Sequence, residues 1–295
     1  MENIRLLVRE VIFWLYHLFA TKVPRIYRRQ KAARALRNAS LPMIRLVDFN
    51  GAKFGIWLEF RGEIENQIIG AGSWSADILL QSEFFLPPAS VIVEIGANIG
   101  FESIYYARKF PDARVIAFEP GSYGYNSLLK SRSINRLENL EVHRLGVGAE
   151  NTKLRLRTPT EQSKNKGLGS FLNNSDIDDT YISEEVDVVT LDTFLTGIPR
   201  LDLLKVDTQG FEWPVLQGAE DIISSHRPVV IFEFEDHYHR EAIALRKTIA
   251  AYFEKLNYSL FITSEDHLRP CDFANVSRVH ADVFALPNPA FVEAG

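Results

Sequence analysis

The sequence predicts an α/β fold built on a mostly parallel β-sheet with helices on both faces. Short apolar runs alternate with helical stretches between residues 91 and 256, which is the pattern of strands joined by crossover helices. One apolar run, Val91–Ile95, leads through closely spaced glycines into a helical stretch, a typical strand–turn–helix unit of such sheets. The chain has 295 residues, which is enough for one large domain of this class with extensions.

The composition excludes several classes of protein. Hydrophobic residues make up 46% of the chain and charged residues 24%, which argues against global disorder and fibrous structure. The net charge of −5 argues against a nucleic-acid binder that works through bulk positive charge. A single cysteine, Cys271, excludes an intramolecular disulfide and any cysteine-rich zinc or iron–sulfur site. It suits a reducing compartment, so we expect a cytoplasmic protein.

Residues 1–40 are predicted as a separate, basic and amphipathic helical segment. They hold nine basic and two acidic residues, a net charge of +7 against −12 for the rest of the chain, and their apolar residues recur at helical spacing. The uninterrupted apolar stretch, residues 11–20, is much shorter than the roughly 20 apolar residues that a membrane-spanning helix needs. No small-residue cleavage site follows it, which argues against a secretory signal.

Two interpretations of this basic segment stay open. In one, the helix packs against its own domain or against a second copy of the chain. In the other, it rests on an anionic membrane surface. The second interpretation would make the protein peripheral at the cytoplasmic face of a membrane.

Residues 41–86 are predicted as a hairpin and helical lead-in to the main domain, residues 87–290. Residues 44–49 and 53–60 alternate in hydrophobicity around Asn50-Gly51, which is a strong β-hairpin signal. Two helical stretches follow before Pro87-Pro88, near residues 63–69 and 76–85.

The main domain is predicted to alternate strands and helices. The strand candidates are residues 91–95, 114–118, 140–145, 201–207 and 229–234. Helical stretches lie near residues 101–109, 125–135, 214–224 and 241–256. The last two strand candidates, 259–263 and 278–286, have no helix between them, so we expect them to pair antiparallel. A long loop beside the site, rich in Ser, Asn, Gly and Asp, is predicted at residues 158–180.

The segment from Glu94 to Phe101 is the most informative motif. Glu94 ends a buried strand, Gly96 lets the chain turn with a ligand against its backbone, and Gly100 lets the next helix sit close to the strand. The start of that helix offers N–H groups to a polar ligand. A dinucleotide-binding loop would need glycines at positions 96, 98 and 101, but Asn98 and Phe101 stand there. A nicotinamide-dependent oxidoreductase is therefore a disfavoured alternative.

A second acid follows at the end of the next predicted strand. Glu119 lies 25 residues after Glu94 and precedes Pro120. A carboxylate at this point can accept two hydrogen bonds from a ribose diol; the alternative is an acid that faces solvent. The two motifs together predict an adenosyl ligand in the crevice at the carboxyl ends of the strands.

Five short motifs stand in a fixed order along the chain. They are Val-Glu-Ile-Gly-Ala-Asn-Ile-Gly (93–100), Ala-Phe-Glu-Pro (117–120), Val-Thr-Leu-Asp (189–192), Leu-Leu-Lys-Val-Asp-Thr-Gln-Gly-Phe-Glu (203–212) and Val-Leu-Gln-Gly-Ala (215–219). This set, which covers roughly residues 85–235, resembles the FkbM-type family of S-adenosylmethionine-dependent methyltransferases. One position departs from the family pattern, because many members have Glu where this chain has Gln209. No role is therefore assigned to a carboxylate at that position.

The resemblance implies a fold, a cofactor and a reaction. The fold is the Rossmann-like methyltransferase fold, with a seven-stranded, mostly parallel sheet and an antiparallel C-terminal hairpin, preceded here by the N-terminal helical and hairpin extension. The cofactor is S-adenosylmethionine, and the reaction is O-methylation of sugars or natural-product hydroxyls. By position, Glu119 with Pro120 beside it would hold the ribose. The methionine portion would be held by the residues of the glycine turn, which are Glu94, Gly96, Ala97, Asn98 and Gly100.

The catalytic candidates are acids at strand ends, because an alkyl hydroxyl is a poor nucleophile that needs a base or a metal ion. Asp207 is the first, at the end of the fourth predicted strand. Lys205 shares its strand face and can pair with it or with an anionic acceptor. A structural ion pair or a helix-capping acid is the alternative for Asp207. Glu233 is the second candidate, at the end of the fifth strand, and Glu235 has the same strand parity.

The remaining polar residues are weaker candidates. The segment 233–239 holds acids and histidines that could ligate a divalent metal ion, but such residues at a sheet edge are more often solvated, so no metal ligand is assigned. Ser170 in the predicted loop is a candidate contact for the acceptor. Glu102, one residue into the first helix of the domain, faces either the cofactor or solvent. His143 is expected to be a structural, satisfied histidine rather than a base.

The leading hypothesis is an O-methyltransferase that acts on a hydroxyl of a saccharide, glycolipid or secondary metabolite. Its partner would be a small-molecule, glycan or lipid-linked acceptor, and not a nucleic acid. One alternative is a membrane-associated module that binds a nucleoside without catalysis. The less favoured alternative is the nicotinamide-dependent oxidoreductase. The sequence specifies neither the acceptor nor the oligomeric state.

Overall fold

A computed structural model describes residues 41–59, 62–159, 169–171, 181–264, 267–276 and 279–289 of the chain. The predicted segment 1–40 and most of the predicted loop 158–180 lie outside these ranges. Among the described residues, no helix combines the length and the apolar character that crossing a membrane requires.

The first described unit is the β-hairpin predicted from Asn50-Gly51. Strands β1 (Met43–Phe49) and β2 (Ala52–Leu58) pair antiparallel. Asn50 (φ 46°) and Gly51 (φ 80°) both take the left-handed backbone conformation that a two-residue turn of this type requires. The elements that follow are α1 (Glu63–Ala71), α2 (Ala76–Ser82) and the 3₁₀ turn Glu83–Phe85.

Over the described ranges, the main sheet has five parallel strands and three C-terminal strands. The parallel strands are β3 (Val91–Ile95), β4 (Arg114–Phe118), β5 (Leu140–His143), β9 (Leu203–Val206) and β10 (Val229–Glu235). The C-terminal strands are β11 (Tyr258–Ser264), β12 (His267–Pro270) and β13 (His280–Pro287). Their spatial order is β12-β11-β13-β10-β9-β3-β4-β5. Strand β13 runs antiparallel to both β10 and β11.

The C-terminal strands confirm one prediction and correct another. The antiparallel pairing expected between residues 259–263 and 278–286 is present as β11 and β13. The predicted count of seven strands is wrong by one, because β12 adds an eighth strand that pairs antiparallel with β11 at the edge of the sheet. With four residues and one apolar side chain, Leu268, β12 is too short for an alternating pattern to be read from sequence.

The helices of the main domain follow the predicted order, apart from a short helix at Leu191–Phe194 that was not predicted and a break in one predicted helix. They are α3 (Phe101–Lys109), α4 (Ser122–Asn135), α5 (Leu191–Phe194), α6 (Glu212–Gln217), α7 (Glu220–His226) and α8 (Ala242–Lys255). The single helix predicted at 214–224 is two helices, α6 and α7. The break lies at Gly218, where an added Cβ would be 1.9 Å from the carbonyl oxygen of Gly148. The carboxylate of Asp192 then accepts from the amide of Ile222 at 2.9 Å, which caps the new helix.

A third sheet was not predicted. Strands β6 (Gly146–Val147), β7 (Thr152–Pro159) and β8 (Tyr181–Val189) form it in the order β6-β8-β7. Lys153 of β7 pairs with Glu185 of β8 at 3.4 Å. The charged residues of these strands alternate with apolar ones, so they form a half-buried antiparallel pair rather than an apolar run.

Two hydrophobic clusters lie on opposite faces of the main sheet. Ile92 of β3 belongs to the cluster that also holds Phe54 and Ile56 of the hairpin, whereas Val93 belongs to the cluster with Phe253 of α8. The hairpin therefore covers one face of the sheet. It is tied to α4 through a hydrogen bond from the Gly55 amide to Asn135 Oδ1 at 2.8 Å.

Candidate active site

The turn after β3 brings the backbones of three strands together. The amides of Gly96 and Ala97 donate to the carbonyl oxygen of Phe118 at 2.9 and 3.0 Å. Gly96 has a φ of 84°, and an added Cβ would lie 1.8 Å from the carbonyl oxygen of Asp207. Only glycine fits this position.

The turn ends where α3 begins. Asn98 (φ 51°) and Gly100 (φ 86°) are also left-handed. An added Cβ at Gly100 would lie 2.1 Å from Leu128 of α4. The close approach predicted for Gly100 is therefore present, but it is made to α4 rather than to a strand.

Glu119 ties the end of β4 to this turn. Its two carboxylate oxygens accept from the amides of Asn98 and Gly121, at 2.8 Å each. Burial raises the pKa of Glu119 to about 7, against the opposing effect of these two donors. Each oxygen keeps capacity for a further hydrogen bond.

Two buried acids and one buried lysine lie behind the turn. Glu94 is 3% exposed and accepts a hydrogen bond from the hydroxyl of Ser103. Lys205 is 1% exposed, and its ammonium nitrogen lies 3.8 Å from Glu102 Oε1 and 3.3 Å from Asp207 Oδ2. The ion pair between Lys205 and Asp207, one of the alternatives that the sequence left open for each residue, is therefore present. Glu102, for which the sequence left two directions open, is buried.

This group holds more acids than cations. Burial raises the pKa of Glu94 to about 8, and the negative charge of Glu102 adds to the shift. Burial also raises the pKa of Glu102 to about 7, although Lys205 opposes the shift. Burial disfavours the charge on Lys205, but the carboxylates of Glu102, Asp207 and Asp282 outweigh it and hold the pKa of the ammonium well above its usual range. The arrangement favours a further cation in the adjoining space.

Gln209 bridges the two predicted catalytic acids. Its side-chain amide donates to Asp207 Oδ1 at 3.1 Å and to Glu233 Oε2 at 3.0 Å, and its Oε1 accepts from the hydroxyl of Tyr238. No role was predicted for this position from the sequence. Because an amide nitrogen carries two hydrogens, this one side chain can donate to both acids.

Asp282 is a further acid of this group and was not predicted from the sequence. It lies in β13 directly opposite Glu233 of β10, and its Oδ1 is 3.8 Å from the ammonium nitrogen of Lys205. Burial raises the pKa of Asp282 to about 6 and that of Glu233 to about 10, and the charge of Asp207 adds to both shifts. The sequence feature that could have indicated Asp282 is an acid within the otherwise apolar run of a strand.

Glu212 anchors the loop that carries Gln209. Its Oε1 accepts from the amide and hydroxyl of Thr208, at 3.0 and 3.1 Å, and from the amide of Gly210 at 3.1 Å. Ser170, a weak candidate for contact with the acceptor, donates from its hydroxyl to the carbonyl oxygen of Gln209 at 2.9 Å. Its observed contact is thus with this loop.

A cavity of about 410 Å³ opens at the carboxyl edge of the sheet, a size typical of small-molecule sites. Both predicted catalytic acids, Asp207 and Glu233, line it, whereas Lys205 lies behind the wall. Its apolar lining includes Ile64, Trp74, Phe101, Leu156 and Phe171. The predicted cofactor residues that line it are Glu94, Gly96, Ala97, Asn98, Glu119 and Pro120; Gly100 does not.

Two histidines and an acid converge at the outer strands of the same edge. Glu235 Oε2 lies 3.0 Å from His237 Nδ1, and Glu235 Oε1 lies 2.5 Å from His280 Nδ1. Glu235 and His280 line the cavity. Candidate metal ligands were predicted from the sequence only within the segment 233–239, because His280 reaches Glu235 through the pairing of β10 with β13.

His143 lies outside the lining of the cavity. Its ring packs between Phe118 and Phe194, with centroid distances of 5.3 and 4.8 Å, and burial lowers its pKa. The structural role expected for it is present. Its Nε2 makes no hydrogen bond among the described residues but lies 3.9 Å from Glu141 Oε2.

Comparison with known proteins gives a consistent result. A family model described as the methyltransferase FkbM domain matches residues 94–260, which is more than half of the chain. Methyltransferase 1 of Beauveria bassiana (strain ARSEF 2860) is 31% identical over 151 residues, 46% of this chain and 60% of that protein. Methyltransferase sdnD of Sordaria araneosa is 29% identical over 162 residues, 46% of this chain and 62% of that protein. The chain thus spans about three fifths of the length of these curated relatives.

Among solved structures, the crystal structure of the methyltransferase FkbM from Methylobacillus flagellatus KT aligns with 91% of this chain and 60% of its own. The sequence identity is 16% and the TM-score is 0.44.

Proposed function

This chain belongs to the FkbM methyltransferase family, and from that premise we propose that it is an S-adenosylmethionine-dependent O-methyltransferase. The proposed acceptor is a hydroxyl of a saccharide, glycolipid or secondary metabolite. The observation that most supports this proposal is the shared cavity. The glycine turn and Glu119 line one part of it, and Asp207 and Glu233 line another.

The residues along β3 and β4 fit a cationic methyl donor that carries a nucleoside. Gly96 presents bare backbone at the cavity wall, and the Glu119 oxygens can each accept one more hydrogen bond, as a ribose diol requires. Glu102 Oε2 is buried with no hydrogen-bond partner among the described residues, so an acceptor is in place for the ammonium group of the donor. Glu94 and Glu102 complement the positive charge of the ammonium and the sulfonium.

Asp207 is the residue we assign as the proton acceptor. When bound, S-adenosylmethionine supplies a methyl group made electrophilic by its sulfonium sulfur. Asp207 would take the proton of the acceptor hydroxyl as the oxygen bonds to the methyl carbon and the carbon–sulfur bond breaks, with its electron pair left on sulfur. The ammonium nitrogen of Lys205 lies 3.3 Å from Asp207 Oδ2 and forms an ion pair with it. Gln209 holds that carboxylate in position.

Titration of the full-length protein with S-adenosylhomocysteine tests the donor site. We expect binding to the wild type and at least about tenfold weaker binding to Glu119→Ala, because the ribose and the turn both lose a hydrogen-bond acceptor. Glu141→Ala is a matched control, since Glu141 is an exposed acid of β5 that pairs with Arg114 at 2.7 Å. Equal affinities of Glu119→Ala and the wild type would contradict the donor site. Binding of NAD instead would favour the oxidoreductase.

Turnover separates an enzyme from a binding module. The protein is incubated with methyl-labelled S-adenosylmethionine and extracts of glycans, lipids and secondary metabolites. We expect label in a hydroxyl-bearing acceptor and release of S-adenosylhomocysteine in equal amount. Tight binding without any transfer would favour the non-catalytic module.

The lipid-linked form of the acceptor is proposed from the net charge of +7 on residues 1–40. Such a charge binds anionic lipid surfaces. Co-sedimentation with liposomes that contain phosphatidylserine compares the full-length protein with a 41–295 truncation. Equal partition of the two would dismiss this form of the acceptor and leave the soluble ones.

A further inference from the structure

We propose that Glu235, His237 and His280 form a binding site for a divalent first-row transition metal ion, for which Zn²⁺ is the best fit. The site lies at the edge of the cavity, beside the residues assigned to the acceptor. Binding of the ion is independent of the proposed function. Only the role of the ion toward the acceptor rests on that function.

The three side chains present one ligand atom each at metal-site distances. The two imidazole nitrogens lie 3.0 and 2.5 Å from the carboxylate oxygens of Glu235, and a set of one atom from each residue falls within 4.8 Å. Ligand atoms about 2.1 Å from a tetrahedral Zn²⁺ lie about 3.4 Å apart. Small side-chain adjustments therefore bring all three to one ion.

The backbone holds the three ligands in register before any ion binds. Glu235 and His280 are direct partners across the antiparallel pair β10–β13, so both project from the same face of the sheet. His237 lies in the 3₁₀ turn that follows β10. In that turn Asp236 Oδ2 accepts from the amide of Val279 at 3.0 Å, and Asp236 Oδ1 pairs with Arg246 at 3.4 Å. The turn is thus pinned next to β13.

The burial of the ligands matches a site that stays open on one side. Glu235 is 8% exposed, whereas the side chains of His237 and His280 are 54% and 73% exposed. The carboxylate is therefore fixed by the protein while the imidazoles are accessible to an entering ion. Three protein ligands leave a fourth position, as in catalytic zinc sites, and Glu235 and His280 line the cavity.

The choice of ion follows from the ligand types. Two imidazole nitrogens and one carboxylate suit Zn²⁺ and its neighbours, whereas Mg²⁺ and Ca²⁺ prefer oxygen ligands alone. In sheet order, Glu235 lies two strands from Glu94, and the strand register places it four residues nearer the carboxyl edge of the sheet. An ion here would bind an acceptor hydroxyl in the cavity and lower the pKa of that hydroxyl.

Equilibrium dialysis of the full-length, chelator-treated protein against Zn²⁺ tests the site. We expect one Zn²⁺ per chain at this site, and at least about tenfold weaker binding by His280→Ala and His237→Ala. His267→Ala is the matched control, because His267 is an exposed histidine of β12 outside the cluster, and it should bind as the wild type does. Thermal melts of each variant without metal establish that the fold is intact.

Three results would overturn the proposal. They are no bound Zn²⁺ in the wild type, equal binding by the histidine variants, or loss of binding in His267→Ala. The first would mean that the imidazoles only donate hydrogen bonds to Glu235. The visible absorption of Co²⁺-loaded wild type gives a second readout, because nitrogen and oxygen ligands in a tetrahedral site produce intense bands that hydrated Co²⁺ lacks.

The same samples separate this inference from the proposed function. S-adenosylhomocysteine titration reports on the donor site and does not require the ion. Zn²⁺ binding without S-adenosylhomocysteine binding would uphold the metal site and contradict the methyltransferase proposal. S-adenosylhomocysteine binding without Zn²⁺ binding would do the reverse.

Discussion

The two parts of the cavity are built in opposite ways. Along β3 and β4 the wall consists of consecutive residues, 96–98, whose left-handed backbone conformations at Gly96 and Asn98 create the turn. Along β9, β10 and β13 the wall consists of side chains from distant parts of the chain, such as Asp207, Glu233 and His280. The first part depends on local geometry and the second on strand register and on balanced charge. Substitutions in the first part should therefore disturb the backbone of the turn, whereas substitutions in the second part should leave buried charges unbalanced.

The largest loss of stability is expected for a substitution of Lys205, whose ammonium balances the buried carboxylates in the second part of the cavity. Lys205→Met leaves buried carboxylates without their cation, so we expect a loss of about 3–5 kcal/mol in the free energy of unfolding, measured by urea denaturation. Lys255→Met is the matched control, because Lys255 pairs with Glu220 at 2.9 Å near the surface and should cost less than about 1 kcal/mol. Similar losses in both variants would show that charge balance does not hold this part together.

Gly96→Ala tests the local geometry of the first part. The left-handed backbone alone costs alanine about 1–2 kcal/mol, and the contact with the Asp207 carbonyl oxygen should raise the loss to about 3 kcal/mol. Gly72→Ala has nearly the same φ, 83°, but an added Cβ there meets no atom within 4 Å. Urea denaturation and S-adenosylhomocysteine titration compare the two. Only Gly96→Ala should lose ligand binding, and retained affinity would refute a backbone contact with the donor.

Glu94 lies where the two parts of the cavity meet, and the pH dependence of the free energy of unfolding tests its protonation. The pKa of Glu94 in the folded protein is about 8, above the usual value of about 4.3. The folded state therefore keeps this proton up to a higher pH than the unfolded state does. Stability should therefore fall as the pH rises from about 5 to about 8, by at most ~1.4 kcal/mol per pH unit for this group. When the free energy of unfolding is measured by urea denaturation at several pH values, it should fall less steeply with pH in Glu94→Gln than in the wild type. An unchanged slope would mean that Glu94 is ionised in the folded protein.

The smallest effect is expected at Gln209, which joins two acids without balancing their charge. Gln209→Leu removes both donors to Asp207 and Glu233, and we expect kcat to fall roughly tenfold, about 1.4 kcal/mol, with S-adenosylhomocysteine affinity unchanged. Gln217→Leu, at an exposed position of α6, is the control. A parallel loss of cofactor affinity would instead place Gln209 in the first part of the cavity.

Much of the scaffold could be predicted because its signals are local. The apolar runs of β3 and β4 are buried on both faces, and Asn50-Gly51 takes the turn its residues favour. Strands β7 and β8 were not predicted, because their charged residues form cross-strand pairs and interrupt the apolar runs. The break between α6 and α7 was not predicted, because it depends on contact with Gly148, a residue far from Gly218 in the chain.

The amino-acid order alone was sufficient for the α/β class, the glycine turn and the acids at the ends of β3 and β4, because each depends on neighbouring residues and on a backbone conformation that glycine or asparagine permits. Folding was needed to assemble the ion group of Lys205 with Glu102 and Asp282, and the cluster of Glu235, His237 and His280. These contacts follow from which strands are adjacent and in which register they pair. A shift of one residue in β13 would turn Asp282 and His280 to the opposite face of the sheet, and no short stretch of sequence encodes that alignment.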